Sequence, residues 1–213
     1  MTVATSLGVS LETSCAWDEC GALARPLLEQ MDSGKYDDVS LMRIVSLDAW
    51  REEHRTARKR ADRAWRRGYR FNYVDRHLRS DEVFSINTSR SHRQGRPMGA
   101  GYMHPVKFDP LPAYPCDRHA IRTYGVTDPF GTLVAYLWLY RCGDLALVSQ
   151  ILGHADHLEN EIMYLLWQGT VAAEAFVDPD GYLVYNRHDS GTDGLRFYKD
   201  RVGLREVSVE WLP

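Results

Sequence analysis

Hydrophobic residues are concentrated in one long stretch of the chain, residues 131–203. Residues 131–140 read Gly-Thr-Leu-Val-Ala-Tyr-Leu-Trp-Leu-Tyr, an apolar, β-branched and aromatic run that predicts a strand buried on at least one face. A turn containing glycine, 141–144, separates this run from a second apolar run at 145–152. The two runs therefore predict a β-hairpin.

Strands and helices alternate after this hairpin. A polar loop at 153–160 leads into a segment from Glu161 to about Phe176, in which apolar residues recur at helical spacing. The residues 178–181 break that helix, and we expect a strand at 182–186, a short helix at 194–203 and a strand at 205–211. This alternation favours an α/β fold over a helical bundle or a β-sandwich.

The first half of the chain has weaker patterns. Residues 39–45 predict a strand, and Ser46 is a helix N-cap signal before a helix from Asp48 to Arg67. Residues 69–84 have mixed helical character, and 120–128 predict a further strand. We divide the chain into an N-terminal arm or cap, residues 1–38, with a short helix at 23–31, and a main domain, residues 39–213.

Composition places the chain among ordinary globular proteins. Hydrophobic residues make up 44% of its 213 residues and charged residues 26%, with a formal net charge of −3. The four cysteines, at 15, 20, 116 and 142, lack both metal-ligand spacing and the density of a disulfide framework. No apolar run reaches about 18 residues, and no signal-peptide pattern is present. We expect a soluble, cytoplasmic protein with reduced thiols.

The helix predicted at 48–67 is strongly basic. Between Arg51 and Arg70 there are nine basic residues and three acidic ones, and eight of the nine are arginines, which suit bidentate contacts with phosphate. We predict that Arg55, Arg58, Arg63 and Arg66 contact a phosphate-rich partner, a nucleic acid or the tail of a nucleotide cofactor. A solvated helix face is the alternative. The polar, glycine-rich loop at 87–101 offers Arg90, Arg93 and Arg96 to phosphate, or acts as a lid, or is a surface loop without a ligand.

The order of elements over residues 39–213 resembles that of the GNAT superfamily of N-acyltransferases. The resemblance implies a GNAT-like single α/β domain with a mixed, mostly antiparallel central sheet flanked by helices. A short motif, Tyr198-Lys199-x-x-Val202-Gly203, is similar to the Phe-Lys-x-x-Phe-Gly of Fem-like domains, which use aminoacyl-tRNA. The resemblance implies an acid or charge-stabilising role for Tyr198 and Lys199.

The chain departs from the coenzyme A enzymes of this superfamily at the donor loop. Where they carry a glycine-rich pyrophosphate loop, residues 153–160 contain one glycine and the acids Asp156 and Glu159, which would repel a pyrophosphate. The segment Arg96-Pro-Met-Gly99-Ala-Gly101 matches the pattern Arg-x-x-Gly-x-Gly of those enzymes, but a proline-rich stretch and not a helix follows it. We therefore expect a degenerate coenzyme A loop and a donor such as aminoacyl-tRNA, with acyl-CoA as the other co-substrate considered.

The polar loop at 153–160 is a second candidate for the catalytic site, besides Tyr198 and Lys199. Its strand-to-helix position is common for α/β active sites, so we predict a catalytic role for Asp156. Donor- or substrate-binding roles are predicted for a set within the loop: Gly153, His154, His157, Glu159 and Asn160. Helix capping by Asp156 with Glu159 is the alternative. The spacing of His154 and His157 is not that of a metal site, and none is predicted.

The predicted function is that of an acyltransferase that transfers an acyl or aminoacyl group to an amine. A nucleic-acid base-modifying transferase on the same fold, as in bacteriophage DNA modification, is the first alternative. A non-catalytic nucleic-acid-binding module is the second. The expected partners are tRNA or another nucleic acid and a small-molecule or nucleobase amine acceptor, with no membrane.

Overall fold

A computed structural model describes residues 2–5, 10–12, 38–111, 113, 116, 118–189 and 191–212. Eleven strands lie in these ranges: β1 Thr2–Thr5, β2 Ser10–Glu12, β3 Asp38–Arg43, β4 Arg70–Tyr73, β5 His92–Arg93, β6 Arg96–Pro97, β7 His119–Thr127, β8 Leu133–Cys142, β9 Leu145–Gly153, β10 Tyr182–Arg187 and β11 Arg205–Leu212. The α-helices there are α1 Leu47–Glu53, α2 Arg55–Arg66, α3 Ser80–Thr88, α4 Ile162–Val177 and α5 Asp193–Arg201. Short 3₁₀ helices span Ala100–Tyr102 and Ala155–Asn160. No described helix has both the length and the hydropathy needed to span a membrane.

Nine of the described strands form one sheet in the order β2-β1-β11-β3-β10-β9-β8-β7-β4, and β5 and β6 pair separately. Neighbours in the large sheet run antiparallel except for β9 and β10, which run parallel. Helices lie on both faces of the sheet. The predicted fold class, an α/β domain with a mixed, mostly antiparallel central sheet flanked by helices, is confirmed.

The predicted hairpin, β8 with β9, and the helix that crosses it, α4, are confirmed. Successive side chains of β8 point to opposite faces of the sheet, and different helices cover the two faces. Leu137 and Leu139 belong to the larger core, under α1, α2 and α4. Tyr136 and Trp138, on the opposite face, pack with Val83 and Ile86 of α3. Burying side chains on both faces explains why this strand reads as a continuous apolar run. The helix α2 approaches α4 closely through small residues that are fully buried, Ala57, Ala61 and Ala64.

Two predictions about the first half are wrong. The helix expected at 48–67 is two helices, because His54 has φ −103° and ψ 54° and interrupts the helical backbone. The break lets Trp50 point into the core, where its indole N–H donates to the carbonyl of Val202 at 3.0 Å. Residues 70–73, to which mixed helical character was assigned, form the edge strand β4, since Phe71 packs on Tyr124 and pairing with β7 satisfies the backbone.

The predicted N-terminal arm, residues 1–38, is described only in part. The helix expected at 23–31 falls outside the described residues. The strands β1 and β2 extend the sheet beyond β11. The division of the chain at residue 38 stays a prediction.

Candidate active site between parallel strands

The parallel strands β9 and β10 pair only at their beginnings. Tyr182, Leu183 and Val184 pair with Leu145, Ala146 and Leu147, and then the ladder ends although both strands continue. Directly after this point the pairing of β9 with β8 shifts register, between the pairs Trp138–Gln150 and Leu139–Val148, so that Ser149 is a bulge. A β-bulge bends the strand that carries it. The bulge thus turns the end of β9 away from β10.

A cleft of about 620 Å³ opens where the two strands separate. Its lining comes from the ends of both strands, the start of α4, the helix α5 and the segment after α3: Arg90, His92, Arg93, Gln94, Arg96, Pro97, Met98, Gly99, Tyr102, Ile151, Leu152, Gly153, Leu158, Met163, Tyr185, Leu195 and Tyr198. Beyond Leu147, no described strand pairs with the edge of β9 that faces β10. The cleft therefore combines an open strand edge with arginine and tyrosine side chains.

Three tyrosines reach the cleft. Tyr198 donates its hydroxyl to the carbonyl of Met163 at 3.0 Å, which fixes its ring against the start of α4. Burial raises the pKa of Tyr102 and of Tyr198, and raises the pKa of Tyr185 to about 12. The Met163 carbonyl accepts the one hydroxyl proton of Tyr198, whereas the hydroxyls of Tyr102 and Tyr185, protonated at neutral pH, can donate hydrogen bonds to a ligand.

The arginines at the cleft differ in their availability. Arg93 is a structural residue: it donates to the carbonyl of Gly153 at 2.9 Å, to the carbonyl of Ile86 at 2.8 Å and to the hydroxyl of Ser89 at 2.9 Å. These bonds tie the loop after α3 to the end of β9. Arg90 and Arg96 are exposed and make no salt bridge within the described part of the chain. They are the guanidinium groups that a ligand in the cleft would meet.

The loop after β9 is closed on itself. The N–H of His157 donates to the carbonyl of His154, that of Glu161 to the carbonyl of Leu158, and that of Asp156 to the His154 ring at 3.4 Å. The N-cap of this 3₁₀ helix is His154 and not Asp156, so the predicted capping role of Asp156 is wrong. A Cβ on Gly153 would lie 2.6 Å from the sulfur of Met163 and 2.9 Å from Leu158, so a larger residue there would require these two side chains to shift.

The loop side chains predicted to bind the donor turn mostly to other partners. His157 hydrogen-bonds the hydroxyl of Tyr69 at 2.9 Å through Nδ1. The amide oxygen of Asn160 and the carbonyl of Glu159 accept from Arg67. The Asp156 side chain is 85% exposed, and it is not among the residues that line the cleft. Of the predicted site residues, the cleft brings together Gly153, Arg90, Arg93, Arg96 and Tyr198.

Lys199 lies in the interior, behind the cleft. Its side chain is fully buried, and its ammonium donates to the carbonyl of Arg187 and to that of His188 at 3.4 Å. It also lies 5.0 Å from the centre of the Tyr185 ring. Burial lowers the pKa of Lys199 to about 8. This geometry fits a residue that positions Tyr185 better than one that touches a substrate, and the predicted catalytic role is untested.

The basic helix is partly neutralised by contacts that the sequence did not indicate. Glu161, with a backbone φ of 65°, places its carboxylate 3.1 Å from Arg60 and 2.9 Å from Arg63. Arg51 pairs with Asp62 at 3.0 Å. Within the described residues, Arg55, Arg58 and Arg66 make no salt bridge. Three of the four predicted nucleic-acid contacts are thus unpaired, and Arg63 is held by Glu161.

Sequence reasoning missed the residues that complete the cleft. Tyr102 lies after the glycine-rich loop in a segment without periodicity, and Tyr185 lies in a strand whose apolar pattern indicated only core. The match Arg96-x-x-Gly99-x-Gly101 was a usable signal, since Arg96 and Gly99 do line the cleft. Among the described residues, no group of His, Cys, Asp and Glu side chains is placed to hold a metal ion.

No family model and no curated protein matches the sequence. Solved structures are similar to it. A conserved protein of unknown function from Bacteroides thetaiotaomicron matches with a TM-score of 0.52 and 12% identity, over 88% of this chain and 66% of that one. A GCN5-related N-acetyltransferase from Kribbella flavida matches with 0.41 and 14% identity, over 67% and 49%.

A third match is L-PGS from Bacillus licheniformis, with a TM-score of 0.49 and 14% identity, over 87% of this chain and 64% of that one. The chain therefore spans about half to two thirds of the length of these three proteins. At such identities the likeness is one of fold alone. The Fem-like features and the degenerate coenzyme A loop stay predictions.

Proposed function

We propose that the chain is an acyltransferase that moves an acyl or aminoacyl group to an amine, with the donor held between β9 and β10. The observation that carries the proposal is the separation of these parallel strands after Val184 and Leu147. It leaves the edge of β9 unpaired in the cleft that Tyr102 and Tyr185 line. An extended donor can add to such an edge through main-chain hydrogen bonds, as peptides add to open sheet edges.

The tyrosines supply the hydrogen-bond donors that acyl transfer needs. In this reaction the amine nitrogen attacks the acyl carbonyl carbon and an oxyanion develops. The bond from carbon to the leaving oxygen or sulfur then breaks, and the amine proton passes to the leaving group. Protonated hydroxyls beside that carbonyl stabilise the oxyanion and can protonate the leaving group. Tyr102 and Tyr185 are the two candidates for this role, since burial raises the pKa of each and their hydroxyls stay protonated.

The donor that we propose is an aminoacyl-tRNA and not coenzyme A. The N–H groups of Asp156, His157 and Glu161 are already bonded within the loop, so they do not form an open cradle for a pyrophosphate. Phosphates of a nucleic acid find cations in Arg90 and Arg96 at the cleft and in Arg55, Arg58 and Arg66 on α2.

Donor consumption tests the proposal directly. The protein is incubated with amino-acid-labelled aminoacyl-tRNAs or with labelled acetyl-CoA, in the presence of amines and nucleosides, and amide products are detected by mass spectrometry. We expect amide formation from aminoacyl-tRNA. Tyr185→Phe should lower kcat by about ten-fold or more, because one donor to the transition state is lost.

Phe197→Leu is the control, since Phe197 is an aromatic residue of α5 that is 55% exposed and does not line the cleft. It should leave kcat unchanged. Tight coenzyme A binding with contacts to residues 153–160 would overturn the assignment of the donor. If no donor is consumed while RNA still binds, the chain is a binding module and the enzymatic proposal is wrong.

A further inference from the structure

A second, smaller cavity of about 220 Å³ lies beside the cleft. The two share Tyr102, and the successive β9 residues Gln150 and Ile151 line the cavity and the cleft respectively. Its volume is below the roughly 300–1,000 Å³ of pockets for drug-sized ligands, so it suits a single ring system. The cavity therefore lies where an acceptor would be next to the donor.

Aromatic rings form much of the cavity wall. Phe108 packs edge-on against Trp138, with ring centroids 5.0 Å apart. Arg76 packs over both rings, 5.5 Å from the centre of Phe108 and 5.3 Å from that of Trp138, which holds the pair in place. Phe84 and Tyr102 contribute two further rings to the wall. Aromatic walls favour a planar ligand, which can stack on them.

Two side-chain amides face this aromatic cavity. Tyr136 is buried on the same face of β8, and its hydroxyl donates to Oδ1 of Asn87 at 2.7 Å and lies 3.5 Å from Oε1 of Gln150. With its oxygen engaged, Asn87 offers its N–H₂ group to a ligand, and Gln150 offers an amide of its own. Carboxamides pair with the ring nitrogens, carbonyls and amino groups of nucleobase edges.

The cavity is uncharged. Its lining residues include no Asp, Glu, Lys or Arg, and His104 is the one imidazole among them. A cationic amine would find no carboxylate among these lining residues, and a phosphate would find no guanidinium among them. From the rings, the paired amides, the size and this neutrality, we propose that the cavity binds an uncharged heteroaromatic ring of the nucleobase class, as the part of the acceptor next to the amine.

The assignment of the bound ring to the acceptor rests on the proposed function. The test of the binding itself is an equilibrium measurement that needs no turnover. The protein is titrated with nucleosides, and the tryptophan fluorescence change is compared between the wild type and Trp138→Phe. We expect saturable binding of at least one nucleoside, with a signal that Trp138→Phe abolishes. Benzyl alcohol, an aromatic ring without acceptor atoms in it, and ribose 5-phosphate, a sugar phosphate without a base, should bind at least about ten-fold more weakly.

Gln150→Leu removes the amide at nearly constant volume and should weaken nucleoside binding about ten-fold. The affinity of this variant for benzyl alcohol should be no lower than that of the wild type. Gln168→Leu, on α4 and outside the cavity lining, is the matched control for loss of a glutamine. A single-stranded oligonucleotide titrated in parallel distinguishes a free nucleoside from a base within a polymer as the source of the ring.

Equal binding of benzyl alcohol and nucleosides would overturn the inference, and so would the absence of nucleoside binding at millimolar concentration. Acylation of amines that carry no heteroaromatic ring, without nucleoside binding, would leave the proposed acyltransferase in place and reject this acceptor class. Nucleoside binding without any acyl transfer would do the reverse.

Discussion

Lys199 has an environment that is unusual for a lysine, because its side chain is fully buried. Burial lowers its pKa from 10.5 to about 8. Between these pH values the unfolded chain binds more protons at this residue than the folded protein does. The free energy of unfolding therefore gains a contribution as pH rises through this range, and lacks it below pH 8.

Comparison of the wild type with Lys199→Met isolates this contribution. From pH 7.5 to 9.5, the free energy of unfolding of the wild type should rise by about 2 kcal/mol relative to that of the variant, which has no group to titrate there. Urea unfolding across the pH series measures it. The range stops short of pH 10 because tyrosines with raised pKa values, such as Tyr185, lose stabilisation above it. A constant difference between the two proteins would contradict the lowered pKa.

At the scale of elements, the helix α4 is fixed to the sheet by a buried carboxylate as well as by apolar packing. Glu174 is fully buried; it accepts a hydrogen bond from Tyr124 at 2.5 Å and pairs with Arg122 at 3.1 Å and Arg141 at 2.8 Å. Arg141 also pairs with Asp178, at 2.5 Å. Removing one partner of a buried ion pair leaves charge without compensation, which costs more than the pair contributes.

Glu174→Gln should therefore lower the free energy of unfolding by about 3–5 kcal/mol. Asp156→Asn makes the same change in net charge at a side chain that is 85% exposed, and it should change stability by less than about 0.5 kcal/mol. Chemical denaturation of both variants measures the difference. Similar losses in the two variants would mean that the buried network does not anchor α4.

At the scale of the whole molecule, the basic surface of α2 is smaller than its sequence indicates. Arg51 of α1 pairs with Asp62, and Arg60 and Arg63 of α2 pair with Glu161, which leaves three arginines of α2, Arg55, Arg58 and Arg66, for an external polyanion. If these three contact phosphates of single-stranded RNA, the log–log slope of affinity against salt should flatten by about 2 when all three become Gln, at roughly 0.7 per phosphate.

Arg63→Gln is the control on the same helix. Its guanidinium already neutralises Glu161 at 2.9 Å, so this change should leave the salt slope nearly unaltered. Filter binding of RNA and DNA over a salt series measures both variants. If the wild type binds neither polymer at low salt, α2 is a solvated face, and the case for an aminoacyl-tRNA donor loses its electrostatic support.

The sequence by itself determined the elements whose signal is local. The apolar runs at 131–140 and 145–152, the helical spacing from Glu161 and the breaks at 178–181 each depend on residues a few positions apart, and their elements lie where they were predicted. The motif around Tyr198 likewise placed one cleft residue. Prediction from the sequence failed for residues 70–73, because there the partner strand and not the segment's own propensity decides the structure.

Only the tertiary structure decided the cleft and its charges. The separation of β9 from β10 follows from a bulge at Ser149 whose register is set by β8. Glu161 forms an ion pair with Arg60, which lies 101 positions away in the sequence. The buried ammonium of Lys199 depends on a carbonyl of another element, that of Arg187 in β10. Pairing and burial are fixed by contacts between distant segments, whereas periodicity records only which face of each segment is covered.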